Sequence, residues 1–230
     1  MKLPPLVPAV FIQRNNRFTA GIRLASDELT TAYVPTTGRL TGVLRPGCRV
    51  WLEPALNPAR KTPYTLMLAE VENGGLCSVN ALIANQVFGE SIARGKLAAF
   101  PYGIIEREVR SSHSRLDFRL SEAEEVCWVE VKSVTYADEG VGKFPDAPTS
   151  RGRKHLGVLE ALAAAGQRAS VVFIAQREDV RSFEPFEAID PAFAETLRNV
   201  TRLGVEAHAY RCTVSVESIE IAEEIPVEII

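Results

Sequence analysis

Ser114-Arg-Leu-Asp-Phe-Arg-Leu120 and, after a short acidic loop, Cys127-Trp-Val-Glu-Val-Lys-Ser-Val-Thr-Tyr136 are strand-like runs whose pairing decides how the back half of this chain folds. The loop around Glu122 to Glu125 is short enough for a hairpin. Successive strand side chains point to opposite faces, and residues two apart lie about 6 to 7 Å from one another on one face. Glu130 and Lys132 therefore share a face, Val129 and Val131 take the other, and Asp117 lies opposite Leu116 and Phe118. Pairing of the two runs predicts Asp117 beside Glu130 and Lys132.

Working outward, a third strand-like run, 104–110, precedes this pair. A helix-like run over 150–165, the apolar strand 169–175, a helix over 191–203 and a strand over 205–210 follow it, and the tail 218–230 alternates as a further strand. Adjacent strands followed by helix, strand, helix and strand describe an α/β sheet with helices against it. The front half reads differently. Segments 9–13, 17–24, 29–34, 48–53, 64–71 and 76–79 are short, β-like and separated by Gly and Pro, which predicts a small closed or nearly closed barrel. Residues 81–93 carry apolar side chains at helical spacing and stop at Gly95, so a helix leads out of the barrel. The expected division is 1–82 for the barrel and 83–230 for the α/β part. Without an internal repeat, low-complexity tract or long linker, the two parts should pack together.

The 230 residues are 46% hydrophobic and 24% charged, an ordinary folded composition. The apolar stretches fall well short of the roughly 18 to 20 residues of a membrane span. The start Met-Lys-Leu-Pro-Pro has no apolar signal core. The expectation is a cytoplasmic protein with no membrane partner. Cys48, Cys77, Cys127 and Cys212 are scattered in apolar surroundings, as buried reduced thiols are. A net charge of -3 argues against coating a polyanion by charge alone, but the sum conceals an asymmetry. Eleven Lys and Arg face six Asp and Glu before Pro101, and fifteen face twenty-three from there on. A basic front half would suit a polyanion and an acidic back half could supply carboxylates to a metal; uneven surface charge without functional meaning is the plain reading.

Two carboxylates and an ammonium group at the predicted spacing are what a Mg²⁺-assisted phosphodiester hydrolase needs, with Mn²⁺ as the alternative ion. Carboxylates offer hard oxygen ligands to an ion that keeps several waters and takes further coordination from the phosphate. Lys132 can orient the attacking water or stabilise charge growing on the phosphorus oxygens. The candidate metal ligands are Asp117 and Glu130, with Glu108, which shares its strand face with Glu106, as a third. Asp, about a dozen residues, then Glu-x-Lys on a strand resembles the signature of the PD-(D/E)XK nuclease-like superfamily. The same Glu-x-Lys also occurs on exposed strands as a solvated ion pair.

The chain also resembles the sugar fermentation stimulation protein A family. The resemblance runs through Pro35-Thr-Thr-Gly-Arg-Leu-Thr-Gly42, Val79-Asn80 with Ala84-Asn85, Ser114-Arg-Leu-Asp-Phe118, Val129-Glu-Val-Lys-Ser-Val134, Phe144-Pro-Asp-Ala147 and Arg151-Gly-Arg-Lys-His-Leu156. These blocks keep their order from about Phe11 to Tyr210. Where the family usually reads Pro-Asn-Thr-Gly, this chain has Thr36 after Pro35. The resemblance implies an N-terminal OB-fold barrel, a C-terminal PD-(D/E)XK restriction-endonuclease-like α/β domain, and DNA binding.

Arg151, Arg153, Lys154 and His155 open the helix at 150, where cations add to the positive end of the macrodipole unless an anion relieves them. A nucleic-acid backbone lying there, with Arg151 and His155 one turn apart, is the functional reading; a hydrated helix end is the plain one. Arg14, Arg17, Arg39, Arg45, Arg49, Arg60 and Lys61 could line a barrel groove, with Tyr33, Trp51 or Tyr64 for stacking, although Trp51 reads better as core. Asp146 is read equally as a turn former or as a loop residue near the site. Gly140-Val-Gly-Lys143 lacks the earlier Gly and the following Ser or Thr of a phosphate-binding loop. His113 and His208 have no partners at metal-ligand spacing, and there is no Gly-x-Ser-x-Gly elbow. The leading expectation is a DNA-binding, Mg²⁺-dependent nuclease-like protein, with RNA as an alternative polymer and homo-oligomerisation left open. A non-catalytic DNA-binding regulator of sugar-utilisation genes on the same fold, and a protein-interaction module, are the rivals.

Overall fold

Gly and Pro break the front half into strands too short to bury a face alone, and they solve this by closing on one another. The computed structural model describes all residues except Pro58, Asn73, Ser112, His113 and Ile230. Strands β1 (Val7–Asn16), β2 (Thr19–Leu24), β3 (Leu29–Tyr33), β4 (Arg49–Pro54) and β5 (Tyr64–Glu70) form a sheet that closes by parallel pairing of β3 with β5. Register shifts at Phe11/Gln13 and Arg14/Asn16 bend β1, so that it can serve both β2 and β4. Ala20, Ile22, Ala32, Val50, Leu52 and Leu66 fill the interior. This is the closed five-stranded barrel of an OB domain.

β6 (Leu76–Ser78) pairs antiparallel with β5 and carries the chain out of the barrel into α1 (Ala81–Ala93). The Asn80 side chain caps α1 by accepting the Leu82 N–H at 3.0 Å. Gly95, at φ +64, ends it as the spacing predicted. β7 (Ile104–Ser111), β8 (Ser114–Glu122) and β9 (Glu125–Val134) follow as an antiparallel meander. Next come β10 (Tyr136–Asp138), β11 (Val141–Phe144), α2 (Ser150–Ala164), β12 (Arg168–Ala175), β13 (Ser182–Pro185), α3 (Pro191–Arg202), β14 (Glu206–Val214) and β15 (Ile219–Ile225). The large sheet has the order β15-β14-β12-β9-β8-β7, with β12 parallel to both β9 and β14. This is the expected α/β domain.

One unit was not foreseen. β10, β11 and β13 form a small three-stranded sheet, because Glu139 and Gly140, both at positive φ, make a two-residue hairpin turn. Gly140 and Lys143 thus belong to a hairpin, and Lys143 pairs with Glu184 at 2.8 Å.

β9 separates two cores. Val129 and Val131 lie in one with α1 residues Val87 and Phe88; Trp128 and Val134 lie in the other with Leu156 of α2 and Phe193 and Leu197 of α3. The first core also takes in the barrel residues Met67 and Leu68, so the two domains share it. Backbone bonding continues the seam, with the Ser78 N–H donating to the Gln176 carbonyl at 2.9 Å. Cys77, Cys127 and Cys212 are buried and free; Cys48 is half-buried. No helix among the described residues is long and apolar enough to cross a membrane.

Candidate active site

The β8–β9 ladder runs from Glu122↔Glu125 to Phe118↔Val129 and then opens. One more rung would set Asp117 opposite Glu130. Instead the Asp117 carboxylate takes the place of a backbone partner: Oδ2 accepts the Val131 N–H at 2.8 Å, and Oδ1 accepts the Asn85 side-chain amide of α1 at 2.8 Å. Glu130 lies between β8 and β12 in a central strand, opposite Val171, and is only 3% exposed. Its Oε1 accepts Lys132 Nζ at 2.5 Å and also meets His155 Nδ1 from α2. Its Oε2 is buried with no hydrogen-bond partner among the described residues. A buried carboxylate oxygen left unpaired costs free energy, and this atom is free to accept a donor or to ligate a cation.

The two acids are driven apart in acidity. Burial, then the charge of Glu130, pushes the Asp117 carboxyl up to about 6, against the pull of the Val131 N–H, Lys132 and Asn85. Burial also opposes ionisation of Glu130, but the His155 hydrogen bond and the Lys132 charge outweigh it and hold its carboxyl below the usual value. One acid is thus ionised throughout the neutral range, and its neighbour completes ionisation only as neutral pH is approached.

The sign of the stability effect follows. The folded chain holds the Asp117 proton more tightly than the unfolded chain, so nothing is lost while both states are protonated, below the ordinary value of 3.8. The cost grows as pH rises from there and is complete above about 6. That shift corresponds to roughly 3 kcal/mol at about 1.4 kcal/mol per unit. Asp117→Asn, with the Asn85 amide turned to accept, is expected to stabilise the metal-free protein by about 2 kcal/mol at pH 8. The gain should vanish near pH 3. Thermal melts in chelator across this range check it, and an equal gain at both ends would refute the assigned cause.

These three groups form the floor of a cleft of about 500 Å³ between the domains. The barrel contributes Arg17 and residues 36–38 to its wall; the loop 144–149 and the start of α2, including Arg151, form the opposite side. The walls are tied together. Asp146 Oδ2 accepts the Leu40 N–H at 3.0 Å, and a Cβ on Gly38 would fall 2.5 Å from either Asp146 carboxylate oxygen. Of the two readings of Asp146, the structure selects the one near the site.

The structure therefore brings together Asp117, Glu130, Lys132 and Arg151. Glu108 is a correction. It sits at φ +54 on β7, the sheet's outer strand, its side chain is about half exposed, and it bonds Arg115 at 2.7 Å outside the cleft. No group of three or more His, Cys, Asp or Glu able to hold a metal occurs among the described residues. Two carboxylates are what the chain offers, which suits an ion that keeps its waters. Arg153 and His155 are also reassigned: neither is turned out towards a phosphate backbone. Arg153 bonds the buried Asp190 carboxylate at 3.1 Å, where Asp190 also caps α3 through the Phe193 N–H at 3.0 Å. His155, 5% exposed, is a partner of Glu130. Lys154, exposed, does not line the cleft.

On the barrel, Arg60 stacks over Tyr33 at 5.2 Å and donates to Thr65 Oγ1 at 3.0 Å; Lys61 and Arg39 are exposed. Trp51 is half-buried against the shared core, as its alternation suggested. His208 bonds Glu224 at 2.8 Å and Glu206 at 3.1 Å, away from the cleft; His113 lies outside the described residues. Asn85 is the participant that residue reading missed. Its signals were its place in the Ala84-Asn85 block of the resemblance and a polar side chain one turn into a helix with apolar spacing.

Residues 82–218 match the sugar fermentation stimulation protein RE domain, and residues 12–79 match the SfsA N-terminal OB domain. A sugar fermentation stimulation protein homolog of Thermoanaerobacter sp. strain X514 is 42% identical over 224 residues, covering 97% of each chain. That of Moorella thermoacetica is 40% identical over 227 residues, again 97% of each. Among solved structures, SfsA of Pyrococcus furiosus in complex with Ca²⁺ superposes with a TM-score of 0.91 at 32% identity, over 99% of this chain and 98% of that one.

Proposed function

This chain belongs to the sugar fermentation stimulation protein family, and we propose that it is a divalent-cation-dependent nuclease that hydrolyses phosphodiester bonds in DNA. The observation that carries this reading is the unpartnered, buried Glu130 Oε2 beside Asp117, with an ammonium group fixed in the same cleft. Carboxylate oxygens are hard ligands, and the two acids suit Mg²⁺ or Mn²⁺ completed by water and phosphate. A bound ion would supply Lewis-acid polarisation of the phosphoryl group and lower the pKa of a coordinated water. The Ca²⁺ complex of the 32% identical Pyrococcus furiosus protein accords with a hard-oxygen cation site in this fold.

The chain's own residues do the rest. Asp117 and Glu130 would hold the ion, and Asn85 and the Val131 N–H fix the orientation of Asp117. Lys132 Nζ, anchored on Glu130, stabilises negative charge on the phosphorus oxygens or positions the attacking water. Arg151 and Arg17, on opposite walls, neutralise flanking phosphates. The cleft walls limit bulk water.

The test is direct. Purified protein incubated with labelled DNA is expected to cut it with Mg²⁺ or Mn²⁺ and to stop when the ion is chelated. Protection of DNA with no cutting under either ion would instead favour the regulator.

A further inference from the structure

We infer that the polymer this cleft accepts is a single strand, with the Arg17–Phe18 rim of the barrel as its base-stacking contact; this rests on the nuclease reading. Three observations lead there. The first is depth. Glu130 is 3% exposed and the Lys132 side chain 11%, so a phosphate must descend between walls to meet them. The second is size. The cleft holds about 500 Å³, within the roughly 300–1,000 Å³ typical of small-ligand pockets. The Asp146–Leu40 bond and the contact of Asp146 with Gly38 join the two rims, so the cleft does not widen without breaking them. A single strand reaches the floor without carrying a complementary strand past these joined rims.

The third observation is the rim itself. Phe18, 44% exposed, adjoins the cleft-lining Arg17, whose guanidinium lies 5.8 Å from the ring centroid. Its backbone is pinned, because the Phe18 carbonyl accepts the Val34 N–H at 2.9 Å. Tyr33, 37% exposed with Arg60 over its ring, sits on the neighbouring strand and pairs with Thr19. A lone exposed aromatic needs no explanation. Here the rings come with cations, on an OB barrel, and Phe18 directly follows the cleft-lining Arg17. Unpaired bases offer faces to stack on such rings, and paired bases do not.

Full-length Lys132→Ala protein with Mg²⁺ permits binding to be read without cutting. Fluorescence anisotropy would use a labelled oligothymidylate, its ribose counterpart and a blunt hairpin duplex. A single strand is expected to bind at least about tenfold more tightly than the duplex. Adding Phe18→Ala should weaken the single strand about tenfold and leave the duplex unchanged, while Phe18→Trp, which keeps a ring, should restore it. The two single strands then tell DNA from RNA. Equal or tighter duplex binding, or no effect of Phe18→Ala, overturns the inference. The unsubstituted protein run in parallel separates the two ideas: cutting of blunt duplex in preference to single strands sinks this one alone, and cutting of neither polymer sinks the nuclease reading.

Discussion

Lys132→Ala is expected to lower Mg²⁺-dependent cleavage by roughly 10²- to 10³-fold, the usual consequence of deleting one preorganised charge stabiliser in a water-poor site. Affinity for the uncut strand should change by no more than a few-fold, because Lys132 sits on the cleft floor while Arg17 and Arg151 make the walls. Its ammonium is held at 2.5 Å by Glu130 with an 11% exposed side chain, so its position is set before substrate arrives. Lys132→Arg should not rescue cutting, since a planar fork cannot occupy the space of a point charge that also bonds Glu130. Turnover and anisotropy measured on one preparation decide the matter. Cutting undiminished in Lys132→Ala would remove Lys132 from the chemistry.

Glu130→Gln is expected to weaken divalent-cation binding by roughly 100-fold or more, since even outer partners of metal ligands are worth about 10- to 100-fold. The amide offers the cation one neutral oxygen where the carboxylate offered a charged one. It also removes the buried anion that Lys132 and His155 share. Breaking a buried pair from one side typically costs about 3 to 5 kcal/mol, so the variant should also melt lower in chelator. The unsubstituted protein should gain stability on cation addition, by about 2.7 kcal/mol at a hundred times Kd, and the variant should not. Calorimetric titration with Mn²⁺ and paired melts measure both effects. Full cation affinity in Glu130→Gln would place the ion elsewhere.

Both results depend on geometry that is only partly local. Strand parity made Glu130 and Lys132 neighbours on one face, with Val129 and Val131 on the other, and the structure has them so. The Gly and Pro punctuation of the front half made a barrel the economical solution, and the helix stopping at Gly95 was equally visible. The small β10–β11–β13 sheet was not, because its strands are short and carry little periodic signal.

Apart from the small β10–β11–β13 sheet, sequence by itself therefore determined the element types, the two-part architecture, the shared face of Glu130 and Lys132 and the approach of Asp117, since each follows from periods of two or 3.6 and a short hairpin. Tertiary structure alone decided what those side chains meet. It opened the ladder so that Asp117 caps the Val131 N–H, turned His155 onto Glu130 and Arg153 onto Asp190, and left Glu108 on an outer strand. It also tied Asp146 to Leu40 across more than a hundred residues. The physical reason is that side-chain periodicity fixes which way a residue points relative to its own strand or helix. Its partner is fixed by how distant segments pack, and the apolar cores on either side of β9 set that packing.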